Sequence, residues 1–270
     1  MTVIEQYLQK SRAILDVIEQ QTEQLQQAAQ WFAETIRAGR MVHVFGSGHS
    51  RIMVEEMWPR YGSFPGFNPI VELSLTFHNL VVGANGQRQA MFLENVPGLA
   101  ERILRNYDLS DLDSALVISS SGCNVVPIEM AELFQQRRVK VVALITRNHA
   151  EQSTSKRADG KKLSDFADLV LDTGAPVGDA MITVPGLDTP VAPGSTVGGA
   201  VIVNCIKAEV ARLLTQMGQP PVVLSAGAVV GAGRAVDLFE RAYDEHAHRL
   251  AKLYAQVGQA SYVSQGQKEE

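Results

Sequence analysis

Two short runs hold the densest chemistry in this chain. In Gly46-Ser47-Gly48-His49-Ser50, the glycines let the backbone approach a ligand closely, and the helical pattern that resumes at His49 would add unpaired N–H groups and a partial positive charge. Ser119-Ser120-Ser121-Gly122-Cys123-Asn124 packs three hydroxyls and an amide into six residues. Neutral donors of this kind suit a phosphate ester or a polyhydroxyl ligand. A dinucleotide fingerprint does not fit, because Arg51 stands where a third glycine would follow Gly46 and Gly48, and no Walker A sequence occurs. Either run alone is also what an ordinary βα turn needs, since turns favour permissive residues and serine caps helices well. Their pairing in one repeating pattern is what points to a ligand.

That pattern is a strand, a glycine turn and a helix, repeated. Residues 3–38 place Ile4, Leu8, Ile18, Leu25, Ala28, Ala29, Phe32 and Ile36 at three- and four-residue spacings among Glu and Gln, which predicts one long helix or a helical hairpin. Gly39 closes it, and strands are then expected at 41–45, 69–74, 114–119, 139–146 and near 168–171. Helices are expected at 97–107, 125–137, 195 or 196 to 217, and 235–257. The apolar residues of 139–146 hardly alternate, as in a strand covered on both faces. Between the fifth strand and the long late helix, residues 173–195 read as a Pro/Gly-rich loop with a brief strand at 181–184. Strands alternating with helices imply an α/β fold, a three-layer doubly wound sandwich around a five-stranded parallel sheet. In such a sheet ligands bind beyond the carboxyl ends of the strands, where the strand order reverses and neighbouring loops splay apart. The expected organisation is an N-terminal helical segment (1–38), an α/β domain (39–225), and a C-terminal helix and tail (226–270).

Composition narrows the classes of function. Among 270 residues, 24 Lys and Arg face 29 Asp and Glu, a formal net charge of -5, with 46% hydrophobic and 20% charged residues. Those values describe a globular chain and exclude global disorder. They also lack the positive excess that phosphate-backbone binding requires, so no nucleic-acid partner is expected. Two cysteines, Cys123 and Cys205, make no disulfide framework, which fits a cytoplasmic setting. The N-terminus mixes charged with apolar residues and is neither a signal peptide nor a membrane span.

With these residues in view, the chain resembles a known family. VHVFGSGHS and, some seventy residues on, LVISSSGCN look like the two phosphate-binding loops of the sugar isomerase (SIS) domain. FGSGHSRIMVEEMWPRYG, SSSGCNVVPIEMA, GKKLSDFADLVLDTGAPVGDA and PGSTVGGAVIVN together resemble the stand-alone SIS proteins, relatives of phosphoheptose isomerase and N-acetylmuramic acid 6-phosphate etherase. The resemblance spans roughly residues 1 to 225. It implies a flavodoxin-like strand order, and phosphosugar binding through the loop Gly46, Ser47, Gly48, His49 and Ser50 and the loop Ser119, Ser120, Ser121 and Asn124. Within these, Ser50, Ser119, Ser121 and Asn124 would contact phosphate, with Ser120 packing or donating nearby. It also implies a homodimer or homotetramer with sites at subunit contacts, and with it an association role for the N-terminal helical segment (1–38).

Enediol or elimination chemistry on a sugar phosphate needs a carboxylate to take a proton beside a carbonyl and return one. Glu56, with Glu55 beside it, is one such candidate, since EEMWPRY is similar to the glutamate-bearing helix of phosphoheptose isomerase. Glu56 is equally placed for an exposed i,i+4 pair with Arg60. Glu94 stands roughly where the etherase has a second acid, or is surface charge. The late helix lacks the Gln and His that the heptose isomerase carries, so no metal and no cofactor are expected. His43 reads as a core residue inside a strand. His49 could touch a ligand, while His78 and His149 sit where either could reach a site or serve structure, and His246 and His248 read as solvated surface. Cys123 receives no catalytic role, and Lys161 and Lys162 read as a solvated pair. The expected function is aldose-ketose isomerisation of a sugar phosphate; the alternatives are etherase-like elimination or a non-catalytic phosphosugar sensor acting through a partner.

Overall fold

The computed structural model describes residues 1–76 and 84–254. Five strands, β1 (Val42–Gly46), β2 (Phe67–Ile70), β3 (Ser114–Ile118), β4 (Lys140–Ile145) and β5 (Leu169–Asp172), form one sheet in the order β2-β1-β3-β4-β5 with every pairing parallel. This is the doubly wound arrangement with its reversal between β1 and β3. Around it run α1 (Val3–Glu19), α2 (Thr22–Arg37), α3 (Arg51–Glu56), α4 (Leu73–Thr76), α5 (Gln87–Leu93), α6 (Leu99–Leu104), α7 (Val125–Gln136), α8 (Arg147–Gln152), α9 (Ser195–Gln216), α10 (Gly227–Val230) and α11 (Ala232–Tyr254).

Strand side chains alternate between two apolar layers, as the two-residue period dictates. Val42, Val44, Leu116, Ile118, Val142 and Leu144 pack against α1, α2, α3 and α9. Phe45, Ala115, Val117, Val141, Ala143 and Ile145 pack against α6 and α7 on the opposite face. With both faces covered, the three-layer expectation holds. The N-terminal segment is the hairpin alternative: α1 opens with a capping box between Thr2 and Glu5, and the chain turns at Gln20 and Gln21. Gln21 then binds the backbone of Asp172 twice, donating to its carbonyl at 2.9 Å and accepting from its N–H at 2.7 Å, which covers polar groups of the edge strand β5.

Several boundaries differ from the sequence reading, each for a local reason. β2 ends at Ile70, and Leu73–Thr76 turns into a short helix instead of extending the strand; Pro69 is accommodated because β2 is an edge strand. The brief strand at 181–184 reduces to one antiparallel bridge, Ile182 to Val191. Gly48–Ser50 is a 3-10 turn, so the α-helix begins at Arg51. His246 is buried and packs on Trp58 with ring centroids 5.3 Å apart, because it lies on the inner side of α11, while His248 stays exposed as expected. His43 is buried in β1 beside Asp113, whose carboxylate also receives a two-armed bond from Arg40 at 2.8 Å on each arm. His78 and residues 255–257 of the expected last helix lie outside the described residues. Among those residues no helix is long and apolar enough to cross a membrane.

Candidate functional site

The two serine-rich loops follow β1 and β3, so the strand reversal brings them side by side. Gly46 permits the tight first turn, since a Cβ there would lie 3.0 Å from Ser50, and Gly48 takes a left-handed conformation at φ +56°. In the second loop Gly122 turns at φ +61° and its N–H returns to the Ser119 carbonyl at 3.0 Å. Ser120 turns its hydroxyl to the neighbouring strand end: its Oγ bonds Thr146 Oγ1 at 3.0 Å, which continues to Thr173 Oγ1 at 2.7 Å. This buried chain fastens the ends of β3, β4 and β5 to one another.

Between the loops opens a cavity of about 410 Å³, within the ordinary range for small-molecule sites. Ser47, Gly48, His49, Ser50, Ser119, Ser120, Ser121 and Asn124 all line it. Gly46 lies behind the wall as the turn residue. Glu94 also lines the cavity, although 47 residues separate it from Ser47. The residue is 8% exposed; its carboxylate accepts the Ser47 hydroxyl at 2.6 Å, while its backbone carbonyl receives the Val126 N–H at 2.9 Å in the first turn of α7. Glu94 thus joins the first loop to the helix that follows the second. Burial pushes its carboxyl above the ordinary range, opposed by the Ser47 bond and the charge of Lys156.

Glu56 has a different setting and does not line the cavity. Its Oε2 accepts from Arg60 at 2.7 Å, and its Oε1 meets Lys207 Nζ at 3.2 Å, with the same ammonium bonding the Glu56 carbonyl at 2.9 Å. Burial raises the Glu56 carboxyl, but the two cations outweigh it and hold the group below the ordinary range. Lys207, 4% exposed on α9, is in turn drawn down by burial. The pair ties α3 to α9.

The remaining wall comes from distant segments. Ser195 and Thr196 at the start of α9, Asp179 from the long loop, His149 on α8, and Gln87 and Met91 on α5 complete it. Asp179 holds a left-handed conformation at φ +53° and accepts from the N–H groups of Gly194 and Ser195 and from the Ser195 hydroxyl, at 2.9, 2.7 and 2.5 Å. The signal for this edge was the Gly-Ser-Thr before a long helix, the same composition as the two loops. Lys162 is occupied elsewhere, donating to the Ala150 carbonyl at 2.6 Å, and Cys123 is buried with its thiol pushed up. Among the described residues no group of three His, Cys, Asp or Glu could hold a metal ion.

The family profile described as the SIS domain matches residues 6–146, more than half of the chain. The chain belongs to the SIS domain family. A UPF0309 protein of Geobacillus kaustophilus is 31% identical to it over 253 residues, 93% of this chain and 94% of its own length. One from Listeria innocua is 32% identical over 215 residues, 79% and 85% of the two chains. Among solved structures, a phosphoheptose isomerase from Francisella tularensis is similar over 77% of this chain and 96% of its own, with a TM-score of 0.48 and 15% identity. Both serine-rich loops of this SIS domain fall at the strand reversal, and both lie within 6–146.

Proposed function

We propose that this SIS protein binds a sugar phosphate and isomerises it between aldose and ketose forms, with Glu94 as the proton-transferring carboxylate. In this reading Ser50, Ser119, Ser121 and Asn124 hold the phosphate with the backbone N–H groups of their loops. Glu94 takes the proton beside the carbonyl and returns it to the neighbouring carbon. The observation that carries the reading is the position of Glu94: a buried carboxylate, raised by its surroundings, lining the same cavity as the hydroxyl loops and bonded to one of them. The two cations on Glu56 make that carboxylate a weaker base, which favours Glu94 over it. Free thiols at Cys123 and Cys205 support a cytoplasmic setting. Ile4, Leu8 and Leu15, exposed along α1, support assembly into a homodimer or homotetramer through that helix.

The test is a thermal-shift panel of hexose, heptose, amino-sugar and N-acetylmuramic acid 6-phosphates against the unphosphorylated sugars, followed by a turnover assay on whichever compound binds. Ligand at about a hundred times its Kd adds about 2.7 kcal/mol of stability. A shift confined to phosphorylated sugars, lost in Ser121→Ala, is the expected result, with Glu94→Gln retaining the shift and losing turnover. No shift with any phosphate would sink the reading. Turnover that survives Glu94→Gln and disappears in Glu56→Gln would return the base to Glu56.

A further inference from the structure

His149 lines the cavity and has one ring nitrogen engaged by the chain. The backbone N–H of Gly178 donates to His149 Nδ1 at 3.2 Å, and Gly178 offers that N–H from a left-handed turn at φ +77°. A nitrogen that accepts a hydrogen bond carries no proton, so the neutral ring holds its hydrogen on Nε2. The ring is half-buried and lines the cavity, where Nε2–H is the group it has left to offer. Its place in the sheet gives that donor a role. The Glu94 carboxylate stands at the end of β1, on Ser47, and His149 follows β4; β3 lies between them with Ser119, Ser120 and Ser121 at its end. Two strand spacings, about 10 Å, separate β1 from β4, and Glu94 and His149 both line the cavity that opens over this gap.

We infer that His149 is a catalytic residue of this site, donating its Nε2–H to the carbonyl oxygen of an open-chain sugar phosphate while Glu94 removes the adjacent carbon-bound proton; the inference rests on the function proposed above. For an aldose phosphate the steps balance as follows. The Glu94 carboxylate takes the C2 proton, the C2–H electron pair becomes the C1–C2 double bond, and the carbonyl π pair settles on O1. The oxyanion accepts the Nε2–H hydrogen bond without removing its proton. Glu94 then returns its proton to C1, the O2 hydroxyl proton passes to O1, and the ketose leaves with both side chains unchanged. A neutral imidazole suits this task because it strengthens its hydrogen bond as charge develops and needs no recharging between turnovers.

Two measurements on the full chain test it. In a long-range 1H–15N spectrum of 15N-histidine-labelled protein, with the His149 signals identified by their loss in His149→Gln, the wild type is expected to show the Nε2–H tautomer; a proton on Nδ1 overturns the inference without reference to any substrate. The second measurement follows exchange of the C2 hydrogen of the 6-phosphates of glucose, mannose and N-acetylglucosamine in D2O at saturating sugar. His149→Gln is expected to slow exchange about 10²-fold, with the Kd for inorganic phosphate and the melting temperature unchanged. Exchange at the wild-type rate in His149→Gln overturns the role of His149 and leaves Glu94 in place. A wild-type chain that exchanges hydrogen from none of these sugars overturns the proton-transfer reading and the role of His149 with it.

Discussion

Glu94 combines a folding penalty with its proposed chemical use. Its carboxyl is raised above the ordinary range by burial, so the folded chain holds the Glu94 proton to a higher pH than the unfolded chain does. Stability is then greatest below the unfolded carboxylate value, about 4.3, and falls as pH rises through the folded one. Glu94→Gln removes the charge that burial opposes and keeps an acceptor for Ser47. Melting curves from pH 4 to 8 are expected to show the variant more stable than wild type at neutral pH, with the gap closing towards pH 4. A gap that does not change with pH would mean that the carboxylate pays no burial penalty. Ser47 limits the effect, since its hydroxyl bonds the carboxylate at 2.6 Å.

At the level of elements, the site depends on how closely α9 meets the end of β5. Gly198 makes that approach possible: a Cβ there would stand 1.9 Å from the Thr173 carbonyl oxygen, a backbone atom that cannot step aside as a side chain could. The same helix carries Ser195 and Thr196 into the cavity, and Lys207 anchors it to α3 through Glu56. Gly198→Ala is therefore expected to destabilise the fold by about 3 kcal/mol or more, read as a lower urea midpoint, and to weaken sugar-phosphate binding in whatever fraction still folds. An unchanged midpoint would show that α9 can slide away from β5 without consequence.

For the whole molecule, the proposed assembly follows from what a single copy leaves outside. Ile4 is 70% and Leu8 50% exposed on α1, beside Tyr7, whose hydroxyl reaches the Pro193 carbonyl at 2.9 Å just before α9. A second copy covering this helix would press on the segment that forms one edge of the cavity. Sedimentation at tens of micromolar is expected to give at least a dimer, and Ile4→Asp with Leu8→Asp to give a monomer. A monomeric wild type would remove the assembly from the proposal.

Local patterns made the frame legible before any coordinates. The two-residue alternation of strands, the 3.6-residue spacing of helices and the glycine turns between them depend on nearest neighbours, so the five strands, the hairpin alternative and both serine-rich loops could be read along the chain. The strand order, with its reversal between β1 and β3, came from the resemblance to the SIS domain and not from the local pattern. Which side chains converge at that reversal is set by contacts between segments far apart. Glu94 reaches Ser47 because its own backbone docks on α7, and Asp179 and Ser195 arrive from the loop and helix beyond β5. Glu56 forms the i,i+4 pair with Arg60 that local spacing allowed, and adds Lys207, 151 residues away, which no local pattern reveals. His246 had an exposed look only because the partner of its helix face, Trp58, lies far back in the chain. Periodicity tells which residues share a face; only packing decides what that face meets, and with it which carboxylate is buried beside the serine-rich loops.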